Sequence, residues 1–210
     1  MLKVLIADDH AVVRQGLMQI LGEMTEAVEA DEAASGPEAL AKVWEKDYDV
    51  ALLDVSMPGM TGLDVLKELR SGKPRLPVLM LSMHSEEQYA VRALKAGASG
   101  YLTKASTPEE LITAIRKIAK GQKYVTASLA EKLVDYMDSD ADRAPHECLS
   151  DREYEVMCKL ASGTTVTEIA KALSLSVKTI STYRTRILEK MNLKTNAQLT
   201  FYAMENHLID

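Results

Sequence analysis

Asp8-Asp9, Asp54, Ser82 and Lys104 each stand where a short apolar run gives way to polar sequence. Together they offer three carboxylates, one hydroxyl and one amine. Gathered carboxylates repel, so something must neutralise them. A hard divalent cation with oxygen ligands does so, and Mg²⁺ keeps room for water and a phosphate oxygen. A carboxylate beside such a cation can attack phosphorus and form an acyl phosphate. Asp54 ends its run and is followed by the loop Val55-Ser56-Met57-Pro58-Gly59, which leaves it accessible. A lysine and a hydroxyl opposite would hold the phosphoryl oxygens. Singly, these are ordinary turn, cap and surface residues; their joint placement is what carries the reading. His10 reads as a loop or first-turn residue, because a Mg²⁺ site prefers oxygen. Met57, Met60, Met80 and Met83 read as gap-fillers near this surface.

The runs that must position these groups are Leu2–Ala7, Val28–Ala33, Tyr48–Leu53, Pro77–Leu81 and Gly100–Thr103. Between them lie amphipathic stretches over Ala11–Glu23, Pro37–Lys46, Gly62–Arg70, Glu86–Ala96 and Pro108–Lys120. Pro37 and Pro108 suit the first position of a helix. Five strands alternating with five helices imply right-handed crossovers and a doubly wound, mostly parallel sheet. Ligands of such sheets bind outside the carboxyl ends of the strands, where all five polar residues fall. This α/β domain is expected over residues 1–121. Residues 122–148 read as a linker with a helix over 128–137, because Asp138-Ser139-Asp140-Ala141-Asp142-Arg143-Ala144-Pro145 is acidic, small and ended by proline.

From Leu149 to Asp210 every segment has helical period, which predicts an all-α second domain. Ser150-x-x-Glu153 and Thr165-x-x-Glu168 are capping-box patterns. They open a helix running to Gly163 and a second over Val166–Leu173. A tight turn leads to a Ser176-capped third helix, Val177 to about Met191, which suits a helix-turn-helix. The third helix turns Lys178, Ser181, Thr182, Arg184, Thr185 and Arg186 outward, with Tyr183 among them. Long cations reach phosphates and short hydroxyls reach base edges.

The composition, 47% hydrophobic and 27% charged over 210 residues, excludes wholesale disorder. No apolar stretch approaches the ~18 residues that span a bilayer. No signal peptide is read, and Cys148 and Cys158 are too few for a disulfide framework. A cytoplasmic location with reduced thiols is expected. The net charge of −6 is uneven: residues 1–138 carry 16 Lys+Arg against 21 Asp+Glu, whereas 174–194 carry five basic residues against Glu189 alone. That island of positive charge fits a phosphate-binding face.

Residues 1–121 resemble a response-regulator receiver domain, of flavodoxin-like fold. The resemblance rests on Asp8-Asp9, on Leu53-Asp54-Val55-Ser56-Met57-Pro58-Gly59-Met60-Thr61-Gly62, on Ser82, and on Tyr101-Leu102-Thr103-Lys104. It implies that Asp54 is the phosphoacceptor and that Asp8, Asp9, Asp54 and the main-chain carbonyl of Ser56 hold Mg²⁺. It also implies that Lys104 pairs with the phosphoryl group and that Ser82 and Tyr101 form a switch pair. Ala105 stands where many receivers have proline, which leaves the geometry of that peptide bond open. Residues 149–210 resemble a LuxR-type helix-turn-helix through Leu149-Ser150-x-Arg152-Glu153, Glu168-Ile169-Ala170 and Leu175-Ser176-Val177-Lys178-Thr179-Ile180-Ser181. That resemblance sets Ser181, Thr182 and Thr185 nearest the bases and Lys178, Thr179, Tyr183, Arg184 and Arg186 toward the DNA backbone. It departs from the usual pattern at Val166-Thr167 and Ser181. A fourth helix, about Asn196–His207, resembles the one by which such domains pair.

Together the halves resemble the NarL/FixJ class of response regulators. The resemblance implies a transcription regulator, not an enzyme beyond assisting its own phosphorylation and dephosphorylation. Its partners would be a sensor histidine kinase, double-stranded DNA, a second copy on activation and, for an activator, RNA polymerase. A haloacid-dehalogenase-type phosphohydrolase would want an acid two residues after Asp54, where Ser56 stands. A receiver used only for protein docking would not need the second half.

Overall fold

The computed structural model describes residues 1–83, 86–126, 129–131 and 144–209, with the side chains of 86–88 left aside. Five strands, β1 (Leu2–Ala7), β2 (Val28–Ala33), β3 (Val50–Asp54), β4 (Val78–Ser82) and β5 (Gly100–Thr103), form one sheet in the order β2-β1-β3-β4-β5. All four pairings are parallel. Helices α1 (Ala11–Gly22), α2 (Gly36–Glu45), α3 (Gly62–Gly72), α4 (Glu86–Lys95) and α5 (Pro108–Ala119) make the crossovers. β3 and β4 are buried along their whole length, as strands covered on both faces must be. Val4, Ile6, Val50, Leu52, Leu79, Leu81 and Leu102 meet α1 and α5 through Leu17, Leu21, Leu111, Ile115 and Ile118.

The chain order reverses at β1, which pairs with both β2 and β3, so the crevice at their carboxyl ends is the switch point of the sheet. Register brings Ala7 beside Leu53, Asp54 beside Leu81, and Ser82 beside Thr103. Asp54 and Ser82 are the last residues of β3 and β4, as read from the sequence, while the strands begin at Val50 and Val78, one or two residues later than the apolar runs. Pairing continues one step further because Val55 N–H still donates to Leu81 O, and Lys104 N–H to Ser82 O.

Caps explain where the helices begin. Thr61 and Asp64 close a capping box on α3, and Thr107 and Glu110 one on α5. The chain divides into two compact units, Met1–Ala130 and Glu131–Asp210. The first unit runs beyond residue 121, since Tyr124 N–H donates to Ser99 O and Tyr124 bridges to Gly100. Of the helix expected over 128–137, residues 129–131 are helical and the rest lies outside the described residues.

In the second unit a 3-10 turn (Pro145–Cys148) precedes α6 (Asp151–Ala161), α7 (Val166–Ala172), α8 (Val177–Lys190) and α9 (Asn196–Glu205). Ser150, Thr165, Ser176 and Thr195 cap their amino ends. Each carboxyl end turns left-handed, at Gly163, Ser174, Asn192 and His207. There the next residue's N–H reaches back to a helix carbonyl, as in Leu175 to Ala170 and Leu193 to Leu188, both 2.8 Å. The core is Val156, Leu160, Ile169, Ile180, Ile187, Leu199 and Ala203.

Candidate functional site

At the carboxyl ends of β1, β3 and β5, Lys104 Nζ lies 2.6 Å from Asp8 Oδ2 and 3.0 Å from Asp54 Oδ2. Asp8 is 1% and Asp54 2% exposed. Burial pushes the Asp54 carboxyl above its ordinary value, and the Asp8 charge adds to this, against the pull of Lys104 and the Ser56 N–H. Burial works against the Lys104 ammonium too, but Asp54 and Asp8 outweigh it and hold its pKa above the lysine norm. One cation thus sits between two buried anions, with Asp9 beside them. Two acids share it, so the site carries an excess of negative charge.

That excess fits a divalent cation. Ligand atoms of Asp8, Asp9, His10 and Asp54 lie within 4.8 Å of one another. Asp8 Oδ2 and Asp9 Oδ1 are buried without a well-aligned hydrogen bond, despite the close approach of Lys104 to the former. His10 is the start of α1, as read from sequence: its N–H donates to Asp8 Oδ1 (2.8 Å), and its ring Nδ1 lies 3.0 Å from Asp9 Oδ1. The ring is 63% exposed and belongs to the rim.

Ser82 and Tyr101 are both buried, on adjacent strands. Ser56 is half-buried, with Oγ shielded and lacking a hydrogen bond. Met57 and Met80 fill the interior as gap-fillers do, but Met83 is 77% exposed and fills nothing. The peptide after Lys104 is trans, for no cis bond occurs in the described chain.

Two supports escaped the sequence reading. Arg14 of α1 donates from Nη1 to the Asp8 carbonyl (2.7 Å) and from Nε to Glu32 Oε2 (2.8 Å), so it braces the Asp8 main chain. Gly62, the first residue of α3, sits against the Asp54 carbonyl. A Cβ there would collide with that oxygen and come within 2.9 Å of its carbon.

On the second unit, Lys178, Ser181, Thr182, Thr185 and Arg186 of α8 are exposed, whereas Thr179, Tyr183 and Arg184 are half-buried. Arg184 Nε donates to Asn196 Oδ1 of α9 (2.7 Å), and the Thr179 hydroxyl meets the Ser176 cap at 2.8 Å. From Val177 to Arg186 the exposed side chains of α8 are therefore one valine, three hydroxyls and two cations. On α9, Phe201 and Met204 stay exposed.

A parallel sheet with an acidic crevice at its switch point, joined to a helix-turn-helix, defines a receiver coupled to a DNA-binding domain. Residues 4–116 match the response regulator receiver domain family, and residues 147–203 the luxR family of bacterial regulatory proteins. The chain is 38% identical over 216 residues to the oxygen regulatory protein NreC of Staphylococcus carnosus, covering all of both chains. It is 33% identical over 209 residues to the response regulator UvrY of Escherichia coli K12, covering 99% of this chain and 96% of that one. Among solved structures, RcsB of Salmonella enterica serovar Typhimurium, bound to the promoter rprA with the phosphomimetic BeF₃⁻, matches with a TM-score of 0.65. It is 27% identical over 96% of this chain and 97% of that one. The chain belongs to the two-component response regulators of the NarL/FixJ class, with a receiver domain and a LuxR-type DNA-binding domain. Among the described residues no helix is long and apolar enough to cross a membrane.

Proposed function

We propose that Asp54 is the phosphoacceptor and that its modification controls pairing of two copies and sequence-specific DNA binding. The observation that carries this is the seating of Lys104 between Asp8 and Asp54 at the switch point of the sheet. In the transfer, an Asp54 oxygen forms the new O–P bond. The P–N bond of a kinase phosphohistidine, or the P–O bond of a small acyl phosphate, breaks. Lys104 moves its ion pair from Asp54 to a phosphoryl oxygen, while Asp8 keeps the ammonium charged and in place. Asp8, Asp9 and Asp54, with the Ser56 carbonyl, would hold Mg²⁺, which when bound neutralises the carboxylates and draws charge from the phosphoryl oxygens. The chain assists only its own phosphorylation and dephosphorylation and turns over no other substrate.

The added phosphoryl group carries about −1.5 to −2 charges, which attracts the Ser82 hydroxyl. Tyr101 is already buried, so engagement of Ser82 would hold the ring inward. By sequence the receiver is residues 1–121, the linker residues 122–148 and the DNA-binding domain residues 149–210, with the first residues of the linker still paired to the receiver sheet through Tyr124. Ser181, Thr182 and Thr185 face the bases, and Lys178, Thr179, Tyr183, Arg184 and Arg186 the backbone. The partners are a sensor histidine kinase, double-stranded DNA, a second copy and, in activation, RNA polymerase, all met in the cytoplasm. Intact-mass measurement with Mg²⁺ and a small phosphodonor is expected to show one phosphoryl group, absent in Asp54→Ala. Undiminished labelling of that variant would refute the assignment.

A further inference from the structure

Val177, Lys178, Ser181, Thr182 and Thr185 share one exposed face of α8 by their spacing. Val177, at the amino-terminal end, is 48% exposed, far above what a core valine shows. The three hydroxyls on this face have a common geometry. Ser181 donates to Val177 O (2.9 Å), Thr182 to Lys178 O (3.0 Å) and Thr185 to Ser181 O (3.2 Å). A hydroxyl has one proton and two lone pairs. With the proton committed to the helix, each shows solvent an acceptor, and the two threonines show a methyl as well. α8 contains neither Asn nor Gln, the side chains that grip adenine by two bonds.

We infer that Ser181, Thr182 and Thr185 form an acceptor-and-methyl face that selects the amino groups of adenine and cytosine and the methyl of thymine, and disfavours guanine. This rests on the reading that α8 enters the major groove. Guanine presents N7 and O6 there, both acceptors, whereas adenine N6 and cytosine N4 are donors. To donate to guanine, a hydroxyl must first release its helix carbonyl, exchanging one bond for another. To accept from adenine or cytosine it releases nothing. The difference is about one net hydrogen bond, a several-fold preference at each position. Val177 and the threonine methyls add apolar contact for thymine. Lys178 and Arg186 flank the face as long cations suited to phosphates.

The test selects duplexes from a random pool with the full-length chain in the presence of a phosphodonor, then alters single atoms in the selected half-site. Uracil for thymine removes the methyl, purine for adenine removes the amino group, and 7-deazaguanine removes N7. The first two replacements are expected to weaken binding about three- to tenfold each, and the third to leave it unchanged. Thr182→Val keeps the methyl and removes one acceptor, so amino dependence should fall at one position of the half-site while methyl dependence survives. Dependence on guanine N7 that persists in Lys178→Ala, in Arg184→Ala and in Arg186→Ala comes from the hydroxyls and overturns the inference. Dependence that vanishes with any one of these cations, with amino and methyl dependence intact, supports it. A pool that enriches no motif refutes the DNA-reading role itself, which separates the two failures.

Discussion

As a phosphoacceptor Asp54 would need its carboxylate held while its charge changes, and much of that holding would fall to atoms that carry no letter in the sequence. Gly62 closes α3 onto the Asp54 main chain, and Arg14 grips the Asp8 carbonyl oxygen. Gly62→Ala must displace either the end of β3 or the start of α3. A loss of about 1–3 kcal/mol is expected, the usual range for overpacking. Phosphoryl transfer should slow further than the folded fraction explains, measured by labelling under conditions where the variant is folded. Labelling that merely follows the folded fraction would make Gly62 a packing residue alone. The carboxylates, Ser82 and Lys104 were legible because they are polar residues at the ends of apolar runs. The roles of Gly62 and Arg14 were not: Gly62 stands in the motif around Asp54 with no task assigned to it, and Arg14 reads as a cation on an amphipathic helix. Their partners are backbone carbonyls eight and six residues away, fixed only once the strands are paired.

Helix starts were more legible than helix ends. Ser150-x-x-Glu153 and Thr165-x-x-Glu168 announce α6 and α7, and both boxes form. Gly97 and Gly121 close α4 and α5 with the residue the left-handed turn prefers, but in the second unit only Gly163 does so; Ser174, Asn192 and His207 adopt it at a cost. Ser174 at φ 54 lies in the turn of the helix-turn-helix and is exposed. Ser174→Gly relieves roughly 1–2 kcal/mol of left-handed strain. Part returns as chain entropy, so melting should show a net gain of about 0.5–1 kcal/mol. Glu153 does more than its pattern suggests. It caps α6 and takes Lys190 of α8 at 2.6 Å, tying the start of one helix to the end of another. Burial would raise its pKa, but hydrogen bonds from Lys190 and Ser150 prevail and lower it below the ordinary 4.5. A carboxyl depressed on folding adds stability that is present above its unfolded value and disappears as pH falls through the folded one. Wild type should therefore melt above Glu153→Gln at pH 6 and lose that advantage progressively as pH falls below the ordinary 4.5. A constant difference across this range would show that the carboxylate charge contributes nothing.

Across the whole molecule, a net −6 chain binds an anionic polymer only because its charge is segregated: 174–194 holds five basic residues against Glu189. One α8 of 14 residues is about 21 Å long and reads few bases, so specificity calls for two copies. A paired molecule would set its reading helices on half-sites about 10 bp apart, or a multiple. Inserting 5 bp between half-sites turns one to the opposite face and should reduce binding to that of a single half-site; inserting 10 bp should restore part of it. Lys178, Arg184 and Arg186 from two copies would give six phosphate contacts, and a log–log salt slope of roughly −5 is expected. Asn196 holds the Arg184 Nε, so a phosphate contact made by Arg184 would come from a fixed position. Arg186 is exposed on the same helix, and Arg186→Ala removes one contact per half-site. The slope should flatten by about 1.8, with affinity falling equally on every sequence. A loss confined to one base at one position would instead make Arg186 a base reader. The cation and hydroxyl roles on α8 would then have to be divided anew.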